Sequence, residues 1–204
     1  MAKTIITIGR QFGSNGRNIG RKLAEKISAN FYDKELINET AKESGLSEEF
    51  LKSLDDKPTR SFLYSLVSDP YSYGFTSAGY QTNLNQQAFQ ATYDTIKKLA
   101  DKGPSVFVGR CADYALRHNT NLVRIFIHAP LEERIKNVSE RFNLTPDKAK
   151  AQIVKEDKAR ASYYNYYTSK KWGALESYDI FINSSLMSED DTVDFIIDYI
   201  DKIK

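Results

Sequence analysis

The sequence predicts an α/β fold in which about five parallel strands form a central sheet between two layers of helices. Short apolar runs, "TIITI" (Thr4 to Ile8), "SVFVG" (Ser105 to Gly109), "LVRIFIHA" (Leu122 to Ala129) and "YDIFIN" (Tyr178 to Asn183), carry no polar alternation. That is the pattern of strands buried on both faces. Stretches of helical period separate them, and parallel neighbours need such crossovers. A glycine-rich turn, "GRQFGSNGRNIG" (Gly9 to Gly20), follows the first strand directly.

After that turn, Ile19, Leu23 and Ile27 recur every four residues and give the first helix its buried stripe. "NFYD" (Asn30 to Asp33) reads as a short second strand, and "KELINETAKESG" as a helix capped by Gly45. Ser47 caps a further helix that stops before Pro58. Residues 60 to about 82, with "DPYSYGFTSAGY", show no usable period and read as a loop or flap. Asn83 to Lys102 is a long helix with Phe89, Tyr93, Ile96 and Leu99 or Ala100 inward. Pro130 opens the helix after the fourth strand, and Thr145-Pro-Asp starts another that runs through Lys155 and toward the 160s. Ser188 with Asp191 three residues on resembles a capping box before a last helix bearing Val193, Ile196, Ile197 and Ile200.

Composition narrows the function. A net charge of +2 is too small to recruit nucleic acid or a membrane surface by charge alone, so anionic ligands need local clusters. The single cysteine, Cys111, cannot form an internal disulfide or a multi-cysteine zinc site. "MAKTIITIG" is too short an apolar run for a signal peptide, and no stretch approaches 18 apolar residues, so a cytoplasmic location is expected. His118 and His128 have no Cys or carboxylate at close ligand spacing, and no Ser/His/Asp set is visible.

Three stretches carry chemistry. In the first, Gly13 and Gly16 let backbone N–H groups turn toward a phosphate at the start of a helix. A Walker frame places Arg17 where lysine is usual and Asn18 where a magnesium-binding hydroxyl is usual. Arginine can bind phosphate in bidentate fashion, and the asparagine carbonyl can meet a metal. The plain alternative is a structural turn with solvated arginines. The second stretch, "VFVGRCADYAL", sets Arg110 and Asp113 at the C-terminal end of the third strand, the edge where ligands bind in open α/β sheets. The plain alternative is that Asp113 only complements the following helix dipole. The third, "KEDKARASYYNYYTSKKWG", places Asp157, Arg160 and Tyr164 on one helix face beside Lys155 and Lys158. It suits a basic segment over a triphosphate, a single-strand binder that stacks bases, or a core-packed tyrosine helix with solvated lysines.

Together "TIITIGRQFGSNGRNIGRKLAEKI", "FYDKELI", "VGRCADYAL", "APLEERI" and "DKARASYYNYYT…KKWG…YDIFINSS" resemble the cytidylate kinase-like family over most of the chain. The resemblance implies a three-layer P-loop NTPase fold in a single domain. Its core would span 1–33, 101–144 and 174–204, with an NMP-binding helical insertion at 34–100 and a LID-like segment at 145–173. It implies an ATP- and Mg2+-dependent phosphotransferase acting on a nucleoside monophosphate. A non-catalytic nucleotide-binding protein that keeps the fold is the alternative. On this reading Gly13, Ser14, Asn15, Gly16, Arg17 and Asn18 serve the donor phosphates, and Asn183 and Ser184 the loop by the adenine. Asp33, Arg110, Asp113 and Asp157 lie on the substrate side, and Arg17, Arg110, Lys158 and Arg160 carry catalysis. Asn18 is the one protein group offered to the metal. The implied partners are small nucleotides, with no membrane or nucleic-acid role and a homo-oligomer left open. Arg17, Asn18 and a LID with a single arginine depart from the cytidylate kinase pattern.

Overall fold

Burial of apolar strand residues on two faces fixes the layers. The computed structural model describes residues 4–55 and 77–203. Strands β1 (Ile5–Arg10), β2 (Asn30–Tyr32), β3 (Ser105–Val108), β4 (Leu122–His128) and β5 (Ile180–Asn183) form one sheet in the order β2-β3-β1-β4-β5. Every pairing is parallel, with Ile6 opposite both Val106 and Val123 at the centre.

Successive strand residues point to opposite faces, so β1 splits its side chains between two cores. Ile6 and Ile8 pack with Ile19 and Leu23 of α1 (Gly16–Lys26) and with Val193, Ile196 and Ile200 of the last helix, α8 (Glu189–Lys202). Ile5 faces the other way, toward Leu36 of α2 (Glu35–Ser44), Ile96 and Leu99 of α4 (Ser77–Asp101), and Ala112 of the short α5 (Ala112–Ala115). This is the three-layer arrangement predicted from the strand runs. α3 (Glu48–Asp55) contributes Leu51 to a smaller cluster with Ile37 and Ala88. A fourth cluster joins α6 (Leu131–Phe142) to α7 (Pro146–Thr168) through Val138, Ala149 and Ile153, with Phe12 against it.

Several boundaries differ from the sequence reading. β1 continues to Arg10, two residues past the expected end, because β4 extends beside it and pairs Arg10 with Ile127. The expected loop to about residue 82 ends sooner, since residues 77–82 are already helical; the rest of it, 60–76, lies outside the described residues. One glycine within "SAGYQT" costs roughly 1 kcal/mol, which a long packed helix absorbs. α7 runs unbroken to Thr168, where Ser169 adopts a left-handed cap. Phe89 and Tyr93 are half-buried: Tyr93 packs against the core cluster of Ile96 and Leu99 as expected, while Phe89 stacks on Tyr167 of α7, ring centres 4.1 Å apart. Pro130 is the residue before α6 and not its first turn. Ser188 accepts the Asp191 N–H at 3.1 Å, and its hydroxyl lies 2.6 Å from the Asp191 carboxylate, so the capping box closes through side chains.

Candidate active site

The crevice at the C-terminal edge of the sheet begins with the β1–α1 loop, residues 11–15. Gly13 has φ 83°, and a Cβ there would lie 2.9 Å from the Arg134 carbonyl of α6, so only glycine lets that helix approach. Asn137 donates to the Gly13 carbonyl at 2.9 Å. The Ser14 side chain is fully buried, its hydroxyl 2.9 Å from the Gln11 carbonyl and 3.2 Å from the Ile127 carbonyl. That hydroxyl shapes the loop from inside and is turned away from the crevice. Ser184, after β5, holds the Ser14 carbonyl at 2.7 Å. Asn183 accepts from the Ser185 amide and hydroxyl, fixing the turn next to it. Asn15 takes a left-handed conformation at φ 57° and hands over to α1. The amides of Gly16, Arg17 and Asn18 then form a helix's first turn, which has no carbonyl partners of its own and faces an anion well.

Arg17, in the first turn of α1, donates from Nε to Asp33 Oδ2 at 2.5 Å. Arg10, the last residue of β1, reaches the other oxygen of Asp33 at 3.6 Å. Asp33 is 6% exposed and lies just after β2. The hydrogen bond from Arg17 to Asp33 raises the Arg17 pKa and keeps its guanidinium charged. Asn18 Nδ2 lies 3.4 Å from Glu189 of α8, which leaves the side-chain oxygen directed elsewhere.

The turn after β3 is strained. Gly109, Arg110 and Cys111 are left-handed in succession, at φ 76°, 58° and 55°. Non-glycine residues in that region cost of order 1–2 kcal/mol each and cluster at functional sites. The turn is tight because the Arg10 guanidinium lies against Gly109, where a Cβ would fall 2.1 Å from Nη1. Asp113, in α5, accepts from the Tyr164 hydroxyl of α7 at 2.7 Å, and burial raises its pKa. The Tyr164 hydroxyl is itself pushed up by burial and by Asp113.

The helix face predicted at Asp157, Arg160 and Tyr164 is the face that meets the core. Asp157 accepts the Phe12 amide at 2.7 Å and the Arg134 guanidinium at 2.6 Å. Arg160 donates to the Arg10 carbonyl at 3.1 Å and lies over the Phe12 ring. Lys158 is exposed one residue beyond Asp157. The structure therefore brings Arg17, Asp33, Arg160, Asp157 and the loop together, and sets Arg110 at the crevice edge. Asp113 and Ser14 face protein partners instead. Three contributors lay outside the sequence reading: Arg10, Arg134 and Asn137. Arg134 sits in "APLEERI" like a solvated helix arginine, and no local signal shows that its partner is Asp157.

Comparison with known proteins gives a consistent result. Cytidylate kinases from Methanopyrus kandleri and Staphylothermus marinus are each 24% identical to this chain, aligning 98% and 97% of it with 94% and 97% of their own lengths. An uncharacterized protein from Eubacterium ventriosum superposes with a TM-score of 0.72 at 31% identity, covering 97% of this chain and 98% of that one. A gluconokinase from Sinorhizobium meliloti, at a TM-score of 0.53 and 10% identity over 98% and 93% of the two chains, shares the P-loop kinase fold alone. The model of the cytidylate kinase-like family matches residues 5–186. With the strand order, the phosphate-loop geometry and this match in agreement, the chain belongs to the cytidylate kinase-like family.

Proposed function

We propose that the protein transfers the γ-phosphoryl group of ATP to a nucleoside monophosphate or a similar small phosphorylated acceptor. The observation that carries this reading is the convergence of a helix N-terminus, Arg17, Arg10 and Arg160 at one end of a parallel sheet. The first-turn amides of α1 and Arg17 bind the donor phosphates. Arg110 holds the acceptor phosphate, and Arg160 with Lys158 neutralises the transferring group. An oxygen of the acceptor phosphate attacks the γ-phosphorus while the bond to the ADP oxygen breaks. That oxygen is already ionised, so positioning and charge neutralisation replace a general base. Mg2+ would be carried on the donor phosphates, as is usual for that ion, and Asn18 is the residue whose side-chain oxygen would hold it. In this assignment residues 34–100 form the acceptor-side insertion, and 145–173 the basic segment over the donor loop.

A coupled assay with ATP–Mg2+ against the common nucleoside monophosphates tests the reading. Turnover with at least one acceptor is expected; none, with ATP binding intact, would sink it. A non-catalytic nucleotide sensor draws on Arg17 at the usual lysine position and its pairing with Asp33. It predicts nucleotide affinity that barely changes when Mg2+ is chelated, whereas a kinase loses much of its affinity.

A further inference from the structure

Tyr164 is the buried tyrosine of "SYYNYY", 4% exposed, and the chemistry proposed above leaves it without a part. Its hydroxyl donates to Asp113 Oδ2 at 2.7 Å, and Ser177 also bonds that hydroxyl. Asp113 stands three residues after Arg110, in a helix of only 4 residues that has little stability of its own. The turn joining that helix to β3 holds Arg110 and Cys111 left-handed, a conformation that persists only where the surroundings over-determine it. The Gly109 carbonyl, accepting the Ala112 amide at 3.1 Å, constrains the turn from within. The Tyr164 hydroxyl constrains it from α7.

Asp157, Arg160 and Tyr164 share one face of α7, and each is attached to a different group of the crevice wall. Asp157 takes the Phe12 amide and Arg160 the Arg10 carbonyl, both on the donor side, whereas Tyr164 takes Asp113 behind the Arg110 turn. Along the helix axis the first and last of these residues stand about 10 Å apart. One helix therefore spans the donor side and the acceptor side, and the Tyr164 hydroxyl is an attachment to the second. In-line transfer is sensitive to such spacing, since a misplacement of about 1 Å costs roughly a hundredfold in rate.

We propose that Tyr164 is a positioning residue for phosphoryl transfer: through Asp113 it fixes the Arg110 turn against α7, and so sets the acceptor phosphate at a defined distance from the donor. Tyr164 itself touches neither nucleotide. This rests on the kinase reading above and adds to it the group that keeps the acceptor side in register with the donor side. Removing the hydroxyl leaves the ring and every charge in place, including Lys170, whose field acts on Asp113, and releases the turn. Acceptor binding and transfer then suffer while donor binding does not. A hydroxyl that only stabilised the fold would lower Tm and make no such distinction.

The test uses the full chain and inorganic phosphate as probe, titrated calorimetrically beside saturating AMP-PNP, the nonhydrolysable ATP analogue, and Mg2+. The phosphate binding that Arg110→Gln removes is the part belonging to the turn. Tyr164→Phe weakens that binding at least threefold and changes AMP-PNP affinity less than twofold. With the acceptor found by the coupled assay it lowers kcat by about tenfold or more. Asp113→Ala cuts the same link, so in that background Tyr164→Phe changes phosphate affinity less than twofold. Asp113→Asn keeps an oxygen for the hydroxyl, and in that background the effect of Tyr164→Phe returns. Circular dichroism establishes folding of each variant; if Asp113→Ala is unfolded, the difference between phosphate and AMP-PNP in Tyr164→Phe decides alone. The inference is overturned if wild type binds no phosphate that depends on Arg110, or if Tyr164→Phe binds phosphate and turns over like wild type. It is equally overturned if Tyr164→Phe weakens AMP-PNP as much as phosphate, or if its effect is undiminished in Asp113→Ala. Absence of turnover with every acceptor overturns the kinase reading instead, and the titrations still decide whether Tyr164 holds the Arg110 turn.

Discussion

Replacing Arg134 with leucine removes a cation from a nearly closed site and leaves its partner behind. In the native protein Arg134 Nη1 donates to Asp157 Oδ2 at 2.6 Å, with 10% and 19% of the two side chains exposed. Exposed ion pairs contribute about 0–1 kcal/mol, whereas breaking a fully buried pair costs about 3–5 kcal/mol. At these exposures a cost of about 2–3 kcal/mol follows, because among the described residues the abandoned Asp157 carboxylate keeps the Phe12 amide alone. For a chain of this size each kcal/mol shifts Tm by about 2–4 °C, so a fall of roughly 4–12 °C is expected in a thermal melt. The decisive comparison adds Asp157→Asn, which retains an acceptor for Phe12 but abolishes the stranded charge. Arg134→Leu with Asp157→Asn should be more stable than Arg134→Leu alone, and the double-mutant cycle should show coupling. A single variant within about 2 °C of wild type, or a double variant whose losses simply add, would refute the stranded-charge argument.

Three further outcomes follow from described contacts. Gly109→Ala puts a Cβ 2.1 Å from Arg10 Nη1 at φ 76°, so a loss of about 1–2 kcal/mol in the melt should accompany weaker phosphate binding. Phe89→Ala removes a half-buried ring stacked 4.1 Å from Tyr167; about 2 kcal/mol is expected, below the 3–5 of a core phenylalanine, and a Tm equal to wild type would count against the stack. Burial raises the Asp113 pKa in the folded state, so the folded protein holds that proton more tightly than the unfolded chain. Its contribution is therefore most favourable at low pH and is lost as pH rises from about 4 through the folded pKa. Asp113→Asn keeps an acceptor for Tyr164 and should gain stability relative to wild type across that rise; parallel denaturation profiles would contradict it.

The layers of this fold were legible because buried parallel strands leave contiguous apolar runs, and Ser188 announced its helix by a local rule. The face bearing Asp157, Arg160 and Tyr164 was legible too, since helical period alone puts them together. Their partners were not: Phe12 lies 145 residues from Asp157, and Arg10 lies 150 residues from Arg160. Contacts of that separation are created by strand order, which no short window encodes. Ser14 was placed with the donor phosphates from its position in a glycine-rich turn; that its hydroxyl is buried against the Ile127 carbonyl by the close passage of β4 was not legible from that position. Arg17 and Asp33 were each singled out, while their pairing required β2 to stand two places from β1 with β3 between them.

The buried Ser14 hydroxyl, with the Ser184, Asn137 and Asp157 side chains, fixes the phosphate loop by contacts that involve no ligand. Its shape is thus a product of folding, and the entropy of ordering it does not recur each time a nucleotide arrives. Association at this loop should behave as a rigid-receptor encounter, fast and governed by charge, with ionic strength acting on the on-rate. Selectivity that depends on closure or ordering is then left to segments that still have conformational freedom to lose.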